Sequence, residues 1–207
     1  GHRWLKGVRV VVSDGSGAYR ASIQRHLGHA THVLDRFHVA RWFAAGLIEV
    51  RRRIQRIGEP GSRPAFDPAI FRSRYLQLTR FDHLGDDRIQ ALGKVLCGRP
   101  ELEAAWQMLQ HLYGIHLADD SDQANQALGA FIEVYHQHPL VEFQQLTETL
   151  LEWGDEIFAF HDTDRASNGR IEGTNNKLGV LKRIAYGFVN TANFAARALL
   201  LTPGMPT

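Results

Sequence analysis

The first part of the chain alternates short β-branched runs with helical patterns. Val8–Ser13 and Thr31–Leu34 predict two strands, and the first of these runs favours a strand buried on both faces. Helices are predicted over 18–27, after the break at 14–17, and over 37–56, where apolar residues recur at helical spacing. This strand–helix–strand–helix order is typical of parallel strands in an α/β fold.

The middle of the chain carries only helical patterns. Residues 58–68 are rich in Gly and Pro, which favours a loop. Between residues 69 and 160 the apolar spacing predicts helices and no strand. These helices are predicted over 86–97, 101–116, 120–136 and 140–160. An all-helical block therefore interrupts the α/β segment.

The end of the chain predicts two more helices, over 170–186 and 192–201, with capping residues at 167–169. One face of the first helix is apolar, and we expect it to pack on the strands through Ile171, Leu178 and Leu181. The chain then divides into three parts. They are an α/β segment over 1–56, a helical insertion over 57–165 and closing helices over 166–207.

Composition narrows the class of protein. The 207 residues are 44% hydrophobic and 22% charged, which is typical of a globular chain and argues against a disordered one. Cys97 is the single cysteine, so no disulfide can form within the chain, and we expect it to be a small core residue. No apolar run approaches the ~20 residues of a membrane helix. A net charge of +2 permits a nucleic-acid partner without requiring one.

Two acidic residues follow the predicted strands directly. Asp14 comes after the first strand, at the sheet edge where sites form in α/β folds, so it is a candidate ligand for a hard cation. The alternative is that it caps the following turn, and spacing alone favours this alternative. Asp35 and His38 either shape a polar site beside Asp14 or form a local helix cap with a partly exposed histidine.

The third candidate, Glu172, lies in the first turn of a predicted helix. Acidic residues favour that position for electrostatic reasons alone. The residues around it favour a functional role, because they include several Asn, Lys and Arg, whose side chains commonly contact phosphate oxygens. The candidates for DNA contact are Arg170, Asn175, Asn176, Lys177, Lys182 and Arg183. A second basic cluster, Arg51–Arg53 with Arg56, is interpreted as a solvated helix face, with DNA-backbone contact as the alternative.

Four sequence blocks resemble one known family. VVVSDGSGAYRA (10–21) and HVLDRFH (32–38) resemble the catalytic domain of bacterial insertion-sequence transposases. SNGRIEGTNNK (167–177) and LKRIAYGF (181–188) are similar to the closing part of the ISL-three-type family of DDE transposases. The resemblance covers nearly the whole chain, and the order and spacing of the blocks are specific to the family.

The resemblance implies a ribonuclease-H-like fold, here partial, in which the helical block is the family's insertion domain. Asp14 takes the place of the second catalytic aspartate and Glu172 that of the glutamate, and the two would hold Mg²⁺ or Mn²⁺. Asp35 and His38 match a supporting Asp-x-x-His element. The implied partners are transposon ends and target DNA, with no membrane, and the implied location is the bacterial cytoplasm at the nucleoid.

The chain departs from the family pattern at its start. The family's first aspartate and opening strands should precede Asp14, yet no acidic residue lies among the residues before it. We therefore expect the carboxyl-terminal part of a transposase, as an expressed fragment or a natural remnant. The open sheet edge favours a homo-oligomer. The alternatives are a non-catalytic DNA- or protein-binding remnant and a ribonuclease-H-type nuclease.

Because the implied first aspartate is missing, we expect these residues to be catalytically incomplete by themselves. Two metal ions that act on DNA need a full set of carboxylate ligands to hold them and to place the nucleophile. The purified chain should not nick transposon-end DNA in the presence of Mg²⁺. Metal-dependent nicking that Glu172→Gln abolishes would contradict this expectation.

Overall fold

The computed structural model describes residues 3–57, 65–185, 187 and 190–201. The molecule is mostly helical, at 73%, with a small parallel sheet. Strand β1 (Val10–Ser13) and strand β2 (Thr31–Leu34) pair in parallel, with Val10 opposite Thr31 and Ser13 opposite Leu34. Helix α1 (Gly17–Leu27) connects them, and helix α2 (Arg36–Ile54) follows. The predicted parallel pair is confirmed.

Strand β1 is shorter and more exposed than its pattern predicts. It begins at Val10, because Leu5–Gly7 form a 3₁₀ turn that ends at Val8. Burial on both faces is wrong for this strand, since Val10 is 39% exposed and only Ser13 is buried. Within the described residues β1 pairs with β2 alone. Its other edge therefore carries backbone groups without a strand partner.

The helical block contains seven helices among the described residues, and the predicted absence of strands within 69–160 is confirmed for that range. Two strands of two residues each precede them, and strand β3 (Arg56–Ile57) pairs antiparallel with strand β4 (Ala65–Phe66). The helices are α3 (Pro68–Arg72), α4 (Arg74–Gln77), α5 (Asp86–Leu96), α6 (Pro100–Leu117), α7 (Ser121–Tyr135), α8 (Val141–Glu152) and α9 (Gly154–Asp162).

One predicted helix is divided in two. The pattern over 140–160 predicts a continuous helix, but α8 ends at Glu152 and α9 begins at Gly154. Trp153, between them, has φ −102° and ψ 16° and is buried at 4% exposure. Apolar periodicity continues through the break because both helices face the same core, so the pattern alone does not reveal it.

The core is built around helix α2. Phe43, fully buried, packs edge-on against Phe131 of α7 and tilted against Phe143 of α8, with ring centroids 5.8 and 5.7 Å apart. Helix α2 also packs on α6, and strand β2 packs on α9 through Val33 and Phe160. The first α/β elements and the helical block thus share one compact unit that ends at Ala166. A domain boundary at residue 57 stays a prediction.

The second compact unit begins at Ser167. It contains helix α10 (Gly169–Ile184) and helix α11 (Thr191–Leu201). Asn168 is the N-cap residue of α10, but its side chain makes no capping hydrogen bond. Asn190 does cap α11, because its Oδ1 accepts hydrogen bonds from the amides of Ala192 and Asn193.

Several sequence predictions fall outside the described residues or are wrong. Residues 58–64, Tyr186 and Phe188 lie outside them, as do the side chains of Arg170 and Ile171. The prediction that Cys97 is a core residue is wrong, because Cys97 ends helix α5 and its side chain is exposed.

Among the described residues, no helix has the length and apolar character that crossing a membrane requires.

His116 makes the stability of the core dependent on pH. Both of its ring nitrogens are buried without a hydrogen-bond partner in the described structure. Burial lowers the pKa of His116 to about 4, and the charges of Arg36 and His161 act in the same direction. The unfolded chain therefore binds an extra proton between pH 6.5 and pH 4, and the folded state loses stability as the pH falls through that window.

We predict that the free energy of unfolding falls by about 2 kcal/mol more in the natural chain than in His116→Leu between pH 7 and pH 5. Urea unfolding at both pH values measures it. His136→Leu, at an exposed histidine, is the control. Equal pH dependence in the natural chain and His116→Leu would show that this histidine is not held neutral by burial.

Candidate functional site

Asp14 and Asp35 each follow directly after one of the two paired strands, at the carboxyl end of the parallel sheet. Ser13 and Leu34 are register partners at the ends of β1 and β2, so the next residue on each strand is an aspartate. The backbone amide of Asp35 donates to the carbonyl of Ser13 at 2.9 Å, which continues the ladder to this point. The carboxyl ends of parallel strands meet at the same edge of a sheet, and here both end in a carboxylate.

Asp35 is fully buried and its carboxylate is only half satisfied. Its Oδ1 accepts the amide of Phe37 at 3.2 Å, so the side chain caps helix α2 as one of the two interpretations expects. Its Oδ2 has no hydrogen-bond partner among the described residues. The imidazole Nδ1 of His38 lies 3.5 Å from that oxygen and is also buried without a partner. A buried carboxylate oxygen without a donor is costly, and a bound cation would offset that cost.

Asp14 lies on a sharply turned, tightly packed loop. Its Oδ1 accepts the amide of Ser16 at 3.3 Å, so it does cap the turn. Gly15 has φ +78°, and a Cβ there would lie 2.3 Å from the indole of Trp42. Only glycine fits this position, since both the backbone conformation and the indole exclude a side chain. The half-buried Asp14 is therefore held on a loop with little freedom to move.

A buried polar network fixes the two ends of this loop. Before Asp14, the hydroxyl of Ser13 and Nε2 of His32 on β2 form a hydrogen bond of 2.8 Å. After Asp14, the guanidinium of Arg20 on α1 donates to both carboxylate oxygens of Glu156, at 2.7 and 3.1 Å. The network thus joins both sides of the Asp14 loop to β2 and α9.

The pKa of His32 lies below its ordinary value. Burial lowers the pKa of His32, the carboxylate of Glu156 opposes that effect, and the charge of Arg20 adds to it. Its Nδ1 lies 3.6 Å from Oε1 of Glu156, beyond a hydrogen bond, and has no other partner among the described residues. The guanidinium of Arg20 also stacks over the ring of Trp153 at 4.5 Å. Charge pairing and stacking together hold the Arg20 guanidinium in one orientation.

The closing helix α10 carries the other predicted site residues. Glu172 lies in its first turn, as predicted, and is exposed. The predicted DNA contacts Asn175, Asn176, Lys177, Lys182 and Arg183 are exposed as well, whereas the side chain of Arg170 lies outside the described residues. Because α10 belongs to the second unit, convergence of Glu172 with Asp14, and packing of Leu178 and Leu181 on the strands, stay predictions.

The three arginines at the end of α2 contact other residues of the chain. Arg51 is buried and donates to Gln55 at 2.9 Å, so a fully solvated face is wrong for this residue. Arg52 pairs with Glu49 of its own helix. Arg53 pairs with Glu101 and Glu142, and these carboxylates raise its pKa. Ion pairing reduces the capacity of this run to bind phosphate.

Comparison with known proteins identifies the family. The profile of the family DDE_Tnp_ISL3, described as Transposase, matches residues 1–198. The chain belongs to this ISL3-type transposase family, so the resemblance of its sequence blocks is confirmed. No solved structure matches the chain.

Curated relatives carry the same description. The transposase for insertion sequence element IS1001 of Bordetella parapertussis is 26% identical over 95% of this chain and 48% of its own length. The transposase for insertion sequence element IS1557 of Mycobacterium tuberculosis, strain CDC 1551, is 27% identical over 84% of this chain and 43% of its own length. The chain therefore spans about half the length of these relatives.

Sequence reasoning missed the residues that brace the site. Glu156 is a buried acid on α9, and Arg20 and His32 lie far from it in the chain. One signal was available, because Ala159 and Phe160, three and four residues after Glu156, place it on the apolar face of its helix, where an unpaired carboxylate would be costly. Its partner cannot be read from spacing, since the ion pair joins positions 136 residues apart.

We predict that Glu156→Gln lowers the free energy of unfolding by about 2 kcal/mol, because it removes the buried carboxylate that pairs with Arg20 and leaves this arginine only the exposed carboxylate of Glu152. Thermal or urea unfolding at pH 7 measures the change. Glu152→Gln is the matched control, since Glu152 contacts the same arginine but is 68% exposed, and it should cost less than about 0.5 kcal/mol. Equal effects of the two substitutions would show that burial of Glu156 contributes nothing.

Proposed function

We propose that this chain is part of the catalytic domain of a DDE transposase with a ribonuclease-H-like fold. In the intact protein, that domain would cleave DNA at the ends of an insertion sequence and transfer the ends to target DNA at the bacterial nucleoid, in the cytoplasm. The observation that carries the proposal is the register of Ser13 with Leu34, which sets Asp14 and Asp35 at one sheet edge. Membership of a transposase family supports this reaction class.

The residues present suit a divalent cation. Carboxylate oxygens are the ligands that Mg²⁺ and Mn²⁺ prefer, and the buried Oδ2 of Asp35 lacks a hydrogen-bond donor within the described chain. Asp14 and Glu172 would hold the ion, with Asp35 and His38 supporting them. Such an ion, when bound, supplies Lewis-acid stabilisation of charge on phosphate oxygens and favours deprotonation of the attacking hydroxyl or water.

The chain's own residues would contribute position and charge. The Ser13–His32 bond and the Arg20–Glu156 pair hold the Asp14 loop from both sides, which limits the loss of order that ligand binding would otherwise require. The exposed amides and cations of α10, from Asn175 to Arg183, would contact the DNA backbone and fix its register beside the carboxylates.

This proposal differs from a non-catalytic binding remnant in one respect. A non-catalytic remnant has no use for a buried carboxylate oxygen that lacks a hydrogen-bond donor, whereas a cation site can use such an oxygen as a ligand. Asp35 meets that need, because its Oδ2 is fully buried, faces an imidazole and accepts no hydrogen bond within the described structure. A nuclease with another substrate would use the same carboxylates, and DNA-end specificity separates it from a transposase.

We predict that the purified chain binds Mn²⁺ and that Asp14→Asn and Glu172→Gln each weaken the binding at least about tenfold, because each removes one charged ligand. The free-ion signal in electron paramagnetic resonance titrations measures the affinity. Glu148→Gln, at an exposed glutamate of α8, is the control for loss of one negative charge.

The pattern of effects tests the geometry. Loss with Asp14→Asn together with full affinity in Glu172→Gln would contradict a shared site for the two carboxylates. Unchanged affinity in both variants would overturn the cation site. Asp35→Asn should give a smaller loss than either, in keeping with a supporting role.

A further inference from the structure

We propose that the surface formed by Phe71, Arg74 and Tyr75 is a binding site for unpaired DNA bases. We call it the Arg74 platform. This inference rests on the proposed function and deepens it, because it assigns DNA contact to a surface far along the chain from the carboxylates. It identifies the ligand by chemistry, as a single-stranded DNA segment whose bases stack on aromatic rings.

The platform presents two flat rings and one flat cation to solvent. The guanidinium carbon of Arg74 lies 4.8 Å from the ring centre of Phe71 and 4.4 Å from that of Tyr75. The whole residues Phe71 and Tyr75 are 49% and 69% exposed. Nucleic-acid bases stack on aromatic rings and on guanidinium planes, and each stacked base contributes about 1–3 kcal/mol.

Buried residues and helix-capping hydrogen bonds support these exposed side chains from below. Ser73, at the junction of α3 and α4, donates to the carbonyl of Ala69 at 2.8 Å and accepts from Gln77 at 2.8 Å. Gln77 and Ile70 beneath it are buried at 0% and 1% exposure. Asp67 caps α3 through the amides of Ala69 and Ile70. The rings are therefore displayed from a fixed backbone, which reduces the entropy lost on binding.

The charge around the platform favours a polyanion. Arg74 has no carboxylate partner among the described residues, and two acids of neighbouring elements pair with other arginines. Asp67 binds Arg99 at 2.7 Å, and Glu49 binds Arg52. The pKa of the neighbouring Arg51 is lowered first by its burial and then by the charges of Arg52 and Arg74. Arg74, which has no carboxylate partner in the described part of the chain, therefore suits phosphates that flank a stacked base.

The same features disfavour a protein partner. An apolar protein surface that covered both rings would also bury the Arg74 cation, and a buried charge without a carboxylate is costly. Single-stranded DNA avoids that cost, since its phosphates neutralise the cation while its bases cover the rings. Duplex DNA offers phosphates but keeps its bases stacked within the helix. The platform should therefore distinguish single strands from duplexes.

The test measures binding of a fluorescent oligothymidylate to the full chain by anisotropy, in EDTA and at fixed salt. Tyr75→Ala and Arg74→Ala should each weaken binding about tenfold. Tyr75→Phe keeps the ring and should bind like the natural chain. Arg88→Ala, at an exposed arginine of α5, is the charge-matched control. Circular dichroism checks that each variant is folded.

The outcomes separate this proposal from the carboxylate site. Equal affinity of Tyr75→Ala and the natural chain for the single strand overturns the platform, and so does an equal loss for duplex of the same sequence. A change of sedimentation coefficient in Tyr75→Ala without any change in DNA affinity would instead mark a contact between copies. Since EDTA removes divalent cations, the affinity of the natural chain for the single strand is measured without the proposed cation site, so the platform stands or falls whatever the Mn²⁺ titrations give.

Discussion

The candidate site depends on one hydrogen-bonded register, the parallel pairing of β1 with β2. Ser13 opposite Leu34 places two aspartates next to each other at one sheet edge, and a shift by one residue would separate them and turn one side chain to the other face. The backbone bond from Asp35 to Ser13 secures that register at its last position. A short, exposed strand such as β1 would hold this register weakly by itself.

Side-chain contacts from the helical block supply the missing constraint. Helix α9 covers β2, and its Glu156 carboxylate fixes Arg20 on the far side of the Asp14 loop. The imidazole of His32 connects Ser13 to this arrangement. The helical block is thus more than an insertion beside the sheet. It orders the loop that carries the candidate ligand.

Prediction from sequence succeeded where a local pattern determines structure. The β-branched runs, the Asp-Gly turn and the helical spacing located β1, β2, α1 and α2, and the position of Asp14 and Asp35 at strand ends followed from them. It failed where distant residues decide. The break at Trp153, the exposure of Cys97 and the burial of Glu156 each depend on which face meets the core, and apolar spacing does not contain that information.

The ion pair between Arg20 and Glu156 has a consequence for biosynthesis. The two residues are 136 positions apart, so the loop at Asp14 cannot acquire its final brace until the ribosome has released helix α9. Contacts that close such long stretches of chain form late, and a nascent chain lacking them presents unpaired strand edges. Premature termination anywhere in the helical block would therefore leave the beginning of the chain vulnerable to proteases and chaperone capture, although every residue of the sheet had been synthesised.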